Sequence, residues 1–182
     1  MKLNVLSEKA RAAIEAEFPK YPDKRSVVIF ALRAAQEEAG YLSEEAMIDV
    51  ANLLDLTPVQ VYDVATFYTM YNLQPVGKFL IQVCKTLSCA IVGAGGIVEH
   101  LKSRLGVGIG EVTPDGLFSI KLVECLASCG SGPMMQINDD YYESLTPQKV
   151  DRILEDLRRE GKSPLATGRF QLPLNIAGDG HR

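Results

Sequence analysis

Lys78-Phe79-Leu80-Ile81-Gln82-Val83-Cys84-Lys85-Thr86-Leu87-Ser88-Cys89 is the stretch from which the rest of the chain is read. Lys78 to Val83 predicts a β-strand that delivers Cys84 at its end. The same arrangement recurs downstream. Leu117-Phe118-Ser119-Ile120-Lys121-Leu122-Val123-Glu124 alternates as a second strand and again ends at a cysteine, Cys125, with Cys129 in the loop that follows. These four are the only cysteines; four residues separate the first two, three separate the last two, and thirty-five lie between the pairs. Each pair is close enough in sequence for one loop to aim both thiols at a common point. A [2Fe-2S] cluster takes four thiolates, two per iron, so two loops that each deliver a pair make a natural cradle. Ends of strands are also where open α/β sheets place functional groups.

Three other uses of four cysteines stay open at this point. Structural zinc also takes two thiolate pairs, although C-x3-C is less typical of it. Two disulfides would allow three connectivities. Four unrelated thiols buried as small hydrophobes are the third. A thiol redox enzyme is disfavoured, because there is no C-x-x-C. A Rieske centre needs two histidines, and neither His100 nor His181 has the ligand spacing. Gly93-Ala94-Gly95-Gly96-Ile97-Val98 begins like a dinucleotide fingerprint, but Val98 replaces the third glycine and no P-loop is present. The chain is therefore expected to have no nucleotide site of its own. Four thiolates, two ferric ions and two sulfides sum to a dianion, and reduction adds another negative charge. Burying it calls for compensation, with backbone N–H groups and Lys85 or Lys121 as candidates.

Cys89 falls where a helix is predicted from about Ala90 to Leu105, and a helix N-terminus would steady a thiolate. Gly106 to Pro114 is a connection. Met134 to Ile137 and Tyr141 to Glu143 are short strands about the turn Asn138-Asp139-Asp140, and Thr146-Pro147 opens a last helix ending near Gly161. Strand, helix, strand, hairpin and helix make a small α/β layer over 75–160, with 161–182 as a tail.

Residues 1–74 read as helices. Ser7 caps a helix to about Phe18. Asp23 starts another that ends at Gly40, with Val27, Phe30, Ala31 and Ala34 on one face. Ser43 starts a third, with Ala46, Met47, Val50, Ala51 and Leu54 on its apolar side. Thr57-Pro58-Val59-Gln60 opens a fourth with a capping box, its stripe being Val61, Val64, Ala65 and Tyr68. Four short helices make a bundle for packing and docking, with no cluster of titratable groups. Phe67-Tyr68-Thr69-Met70-Tyr71 leads into the second half as a joint or a contact surface.

The sequence is 182 residues long and 47% hydrophobic, enough for one domain of ordinary size or two small ones. Its net charge is -4 and no basic patch is present, which argues against nucleic acid as a partner. No apolar run approaches the ~18 residues of a membrane span. Met1 to Ser7 lacks the long apolar core of a secretory signal, so a cytoplasmic location is expected, where paired cysteines bind metal more often than they form bridges.

The cysteine spacing, together with Val61-Tyr62-Asp63-Val64-Ala65-Thr66-Phe67-Tyr68-Thr69-Met70-Tyr71, Glu124-Cys125-Leu126-Ala127-Ser128-Cys129 and Pro133-Met134-Met135-Gln136-Ile137, resembles the E-type subunits of NADH-quinone oxidoreductase, the thioredoxin-like [2Fe-2S] subunits of respiratory complex I. The resemblance covers most of residues 5–160. It implies an α+β fold: an N-terminal helical bundle followed by a thioredoxin-like α/β domain carrying the cluster. It implies that Cys84, Cys89, Cys125 and Cys129 are the metal ligands and bind the one cofactor, with no catalytic residue. It further implies a place in NADH dehydrogenase, an oxidoreductase and translocase. A flavoprotein subunit of the F type would hold NADH, FMN and a further Fe-S cluster, and pass one electron to this low-potential centre. The complex's peripheral arm would hold the chain at the inner face of the energy-transducing membrane without insertion. The same module resembles diaphorase subunits of NAD-linked hydrogenases and formate dehydrogenases. A zinc-stabilised adaptor is the alternative from another class. Two positions depart from the family's habit: Lys85-Thr86-Leu87-Ser88 where small residues are usual, and Gly132-Pro133 where Ala-Pro is frequent.

Overall fold

Four helix starts follow one rule of local chemistry. Ser7, Ser43, Thr57 and Thr146 each sit in extended backbone and accept a hydrogen bond from the N–H three residues on. Each satisfies a donor that the first helical turn leaves unpaired. Thr57 adds the reciprocal bond of a capping box, with Gln60 Oε1 accepting from the Thr57 N–H at 2.9 Å. The computed structural model describes residues 5–161, and beyond Gly161 the expected tail lies outside the described residues. The chain divides between Val76 and Gly77 into two compact units.

The first unit contains α1 (Glu8–Glu15), α2 (Val28–Ala39), α3 (Glu44–Leu54) and α4 (Pro58–Phe67). Ile14, Leu32, Val50, Leu54 and Val61 are at the centre of one shared core. Two sequence expectations shift. α1 stops at Glu15, and Phe18–Lys20 forms a separate 3₁₀ turn around Pro19. Asp23 caps a 3₁₀ turn, Lys24–Val27, rather than α2 itself. Val27, which closes that turn, is fully buried as expected, and the buried face continues into α2 wider than expected. Val28, Ala31, Leu32 and Ala35 are buried, while Phe30 and Ala34 are only partly so. In α4, Val61 and Ala65 are buried and Val64 is partly buried, whereas Tyr68 is already in extended backbone past the helix end and is exposed. Phe67 and Met70 are exposed as well, but Tyr71 is buried. The bundle also holds an ion pair that periodicity could not show: Arg11 to the buried carboxylate of Asp49.

The second unit is a four-stranded mixed sheet in the order β2-β1-β3-β4, from β1 (Phe79–Cys84), β2 (Phe118–Val123), β3 (Met135–Ile137) and β4 (Asp140–Tyr142). β1 pairs with β2 in parallel and with β3 antiparallel, and β3 and β4 form a hairpin. Side chains alternate across a strand. Phe79, Ile81 and Val83 share a face with Phe118 and Ile120. The helix expected from Ala90 to Leu105 is two helices, α5 (Leu87–Ile91) and α6 (Ala94–Leu105). The break is Gly93 at φ 100, a left-handed conformation that glycine adopts without a steric penalty. Cys89 therefore lies inside a one-turn helix and not at the head of a long one. The last helix among the described residues is α7 (Pro147–Glu160), and the apolar sheet face packs on α6 and α7. Cys84 has the opposite parity and points away from that core. Gly77 is required where β1 begins: a Cβ there would lie 2.5 Å from the Phe118 carbonyl carbon. Among the described residues no helix is long and apolar enough to cross a membrane.

Candidate metal centre

The parallel ladder fixes the geometry. Its last rung sets Cys84 opposite Val123, so the chain leaves β1 and β2 at the same end of the sheet. Each exit leads at once into a cysteine loop. Cys84 closes β1, its N–H donating to the Met134 carbonyl at 3.3 Å. Cys89 follows in the short helix α5, and both first-loop thiols are buried, at 2% and 1% exposure. They pack with Ala94 and Met134, and Leu126 of the second loop packs against them.

The second loop brings Cys125 and Cys129 to the surface with their sulfurs 3.8 Å apart. Two sulfurs each about 2.3 Å from one metal at the tetrahedral angle are separated by about 3.8 Å. The pair therefore has the edge length that one metal ion demands. Ala127 adopts φ 61, a left-handed turn, and its N–H donates to the Cys125 sulfur at 3.3 Å. A Cβ on Gly132 would come to 3.4 Å from the Cys89 sulfur and 3.0 Å from Val92 Cγ2, so glycine lets the second loop lie close against the first.

Hydrogen bonds and charge link the loops. Burial works to raise the Cys84 thiol, but it is outweighed by hydrogen bonds from the Thr86 hydroxyl, from the N–H groups of Thr86 and Leu126, and from Cys89, leaving Cys84 below the usual thiol range. The Thr86 Oγ1 lies 3.2 Å from the Cys84 sulfur. Burial pushes the Cys89 thiol up; its hydrogen bond to Cys84 and the charges of Cys84 and Cys129 push the same way, against the Met134 N–H.

All four cysteines are free thiols, which removes the disulfide reading. Among the described residues no three His, Cys, Asp or Glu side chains gather as a single-ion site. A zinc site needs four sulfurs around one point. The structure shows one close sulfur pair, Cys125 and Cys129 at 3.8 Å, in a loop that packs through Leu126 and Gly132 against the loop of Cys84 and Cys89. Lys85, a candidate for charge compensation, lies 3.1 Å from Glu124 Oε1 and is engaged there. Lys121 sits across the ladder from Gln82 and so projects from the same sheet face as Cys84. His100 is engaged by Asp151 at 2.9 Å, and His181 lies outside the described residues. Thr86 and Gly132 lie in the two stretches where the sequence departs from the family's habit, but their contacts with Cys84 and Cys89 were not foreseen. A hydroxyl two residues after Cys84 was a usable signal for the first; Gly132 is explained only by the approach of the loops.

A small mixed sheet with helices on one face and two cysteine pairs at one end defines a thioredoxin-like iron-sulfur protein. The chain belongs to the thioredoxin-like [2Fe-2S] ferredoxin family, whose model matches residues 14–158, and its cofactor is a [2Fe-2S] cluster. It is 42% identical over 148 residues to an E-type subunit of NADH-quinone oxidoreductase from Rhizobium meliloti, covering 81% of this chain and 88% of that protein. It is 43% identical over 148 residues to NADH-quinone oxidoreductase subunit 2 of Thermus thermophilus, covering 80% of this chain and 82% of the relative. Such relatives are subunits of an oxidoreductase complex. An NAD+-reducing [NiFe]-hydrogenase in the air-oxidised state shares the fold at a TM-score of 0.62 and 19% identity, over 71% of this chain. The chain spans only 23% of that hydrogenase chain, and the likeness shows the fold alone.

Proposed function

We propose that this chain is the electron-transfer subunit of an NADH-quinone oxidoreductase, holding a low-potential [2Fe-2S] cluster on Cys84, Cys89, Cys125 and Cys129. The observation that carries the reading is the meeting of the two loops: Leu126 packs against Cys84 and Cys89, and a Cβ on Gly132 would come to 3.4 Å from the Cys89 sulfur. When bound, the cluster supplies one-electron redox chemistry. The protein's part is to hold and tune it. Cys84 and Cys89 form the buried side, and Cys125 and Cys129 form the side open to a partner. The Ala127 N–H at the Cys125 sulfur and the Thr86 hydroxyl at the Cys84 sulfur stabilise negative charge there. The exposed pair, Cys125 and Cys129, would face an NADH- and FMN-binding flavoprotein subunit, the source of the electron when the cluster is bound. The helical unit serves packing and docking within the peripheral arm, at the inner face of the energy-transducing membrane.

Identity of 42% and 43% with quinone-linked relatives over most of both chains favours this complex over a hydrogenase, whose likeness stops at the fold. The test is anaerobic co-purification with the flavoprotein subunit, then reduction by NADH followed by EPR. A reduced [2Fe-2S] signal that depends on the flavoprotein and on all four cysteines is the expected result. A cluster that NADH and the flavoprotein leave oxidised would sink the assignment.

A further inference from the structure

The hairpin that follows the second cysteine loop turns one side chain back onto it. β4 ends at Tyr142, and the next residue, Glu143, accepts through Oε1 from the Ser128 hydroxyl and, at 2.6 Å, from the Ser131 hydroxyl. Those two hydroxyls are themselves 2.8 Å apart. Ser128 immediately precedes Cys129, and Ser131 closes the 3₁₀ turn Cys129–Ser131. A single carboxylate oxygen thus ties together both ends of the turn that carries the fourth cysteine. The exit of the hairpin is fastened to the same loop by backbone: Ser144 N–H donates to the Ser131 carbonyl at 2.6 Å, and Leu145 N–H to the Pro133 carbonyl at 2.9 Å. From α7, the Lys149 ammonium donates to the Glu143 carbonyl at 2.5 Å, which anchors the backbone that bears the carboxylate.

Cys129 is exposed, so no packing in the core fixes its sulfur. The other charged tie near the loops, Lys85 to Glu124, joins side chains that are 53% and 75% exposed, and such surface pairs hold little. Ser128, Ser131 and Glu143 are each partly buried, and their bonds are directed. We infer that Glu143 is a positioning residue for Cys129: through the Ser128 and Ser131 hydroxyls it holds the Cys129–Ser131 turn so that the Cys129 sulfur stays beside that of Cys125. This rests on the reading of the four cysteines as cluster ligands.

The experiment uses the full chain with its cluster. Wild type, Glu143→Ala, Glu143→Gln, the double variant Ser128→Ala/Ser131→Ala and the triple variant are compared. The readouts are the rate of cluster loss to an iron chelator, the EPR line shape of the reduced state, and thermal unfolding of the cluster-free chain. Residues that orient metal ligands typically contribute roughly 10–100-fold to metal retention. Glu143→Ala is expected to lose the cluster roughly 10–100-fold faster and to change the EPR line shape. Glu143→Gln, which keeps an acceptor oxygen, should fall between, and it remains informative if the alanine variant fails to fold. The serine pair should reproduce Glu143→Ala, and the triple variant should add nothing, because all three side chains act as one unit. A wild-type rate and line shape in Glu143→Ala overturn the inference, as does a lowered unfolding temperature with an unaltered EPR signal. Full additivity in the triple variant overturns it too. A wild-type chain that takes up no iron defeats the cysteine reading itself, and is seen in the control before any variant is compared.

Discussion

Cys84 stands opposite Val123 on the last rung of the parallel β1–β2 ladder. Cys125 is two residues past that rung, about 7 Å of extended chain, so both cysteine loops spring from one end of two hydrogen-bonded strands. A parallel pair needs a crossover between its strands. Here α5 and α6 form it, and α5 carries Cys89. The pairing that makes the sheet therefore also assembles the two halves of the metal site.

Cys84→Ser and Cys125→Ser should each abolish the visible absorption of the reconstituted chain, yet differ without the cluster. Cys84 is buried, so serine there places a hydroxyl in an apolar setting with Thr86 as its partner, and should cost the cluster-free chain about 1 kcal/mol. Cys125 is exposed, and its replacement should change stability by less than about 0.5 kcal/mol. Urea unfolding of both cluster-free variants measures this. Full iron content with an unchanged EPR signal in either variant contradicts the ligand assignment.

Thr86→Val removes a hydroxyl 3.2 Å from the Cys84 sulfur while keeping the side chain's shape. A hydrogen bond to sulfur favours the more negative, reduced state, so its loss should lower the midpoint potential. A net hydrogen bond of about 0.5–1.5 kcal/mol corresponds to roughly 20–60 mV for one electron. Redox titration followed by EPR reads the shift. A rise, or no change, would mean the hydroxyl does not donate to that sulfur.

Much of this unit was legible in the sequence, for a physical reason. The apolar runs Phe79–Val83 and Phe118–Val123 read directly as strands, although both faces of β1 are largely buried, and in each unit a capping residue, Thr57 or Thr146, acts within one helical turn. Both signals are local. The break at Gly93 was visible only as a weakness, because a glycine run shows that a helix is poor but not where it splits. The expected face of α2 is on the core side, with Val27 and Ala31 buried and Phe30 and Ala34 packed against the core, but Val28, Leu32 and Ala35 widen it, because periodicity does not state how broad a buried stripe is. The grip of Glu143 on Ser128 and Ser131 was invisible, since it joins residues 15 and 12 positions apart through a hairpin whose geometry no pattern states.

Asp49 gives a test of the helical unit. Its side chain is 3% exposed and accepts from the N–H groups of Val5 and Leu6, at 2.9 and 3.0 Å, as well as from Arg11. Asp49→Ala would strand the Arg11 guanidinium and two backbone donors. Breaking a buried pair from one side costs about 3–5 kcal/mol; because Arg11 is 25% exposed, the lower end is expected. Asp49→Asn keeps an acceptor and should cost about half as much. Urea unfolding of the helical unit decides it, and a loss below about 1 kcal/mol for Asp49→Ala would show that water replaces these partners.

Tyr71 gives the unit a pH dependence whose sign can be worked out. The phenol donates to the Ile29 carbonyl at 2.7 Å and the residue is 4% exposed. Burial pushes its pKa from 10.0 up to about 12, with Tyr68 adding to the rise and Arg33 opposing it. A proton held more tightly in the folded state stabilises that state. The contribution is complete below pH 10.0 and is lost as pH rises from there through about 12. Tyr71→Phe leaves the Ile29 carbonyl without this donor and should cost about 1 kcal/mol near neutrality. Phenylalanine does not titrate, so the wild-type advantage should shrink across that window and the two stability curves should converge. Of the seven tyrosines, the variant should also lose one that ionises late in an ultraviolet titration of the folded chain. Curves that stay parallel through the window would mean that the phenol meets water in the folded chain.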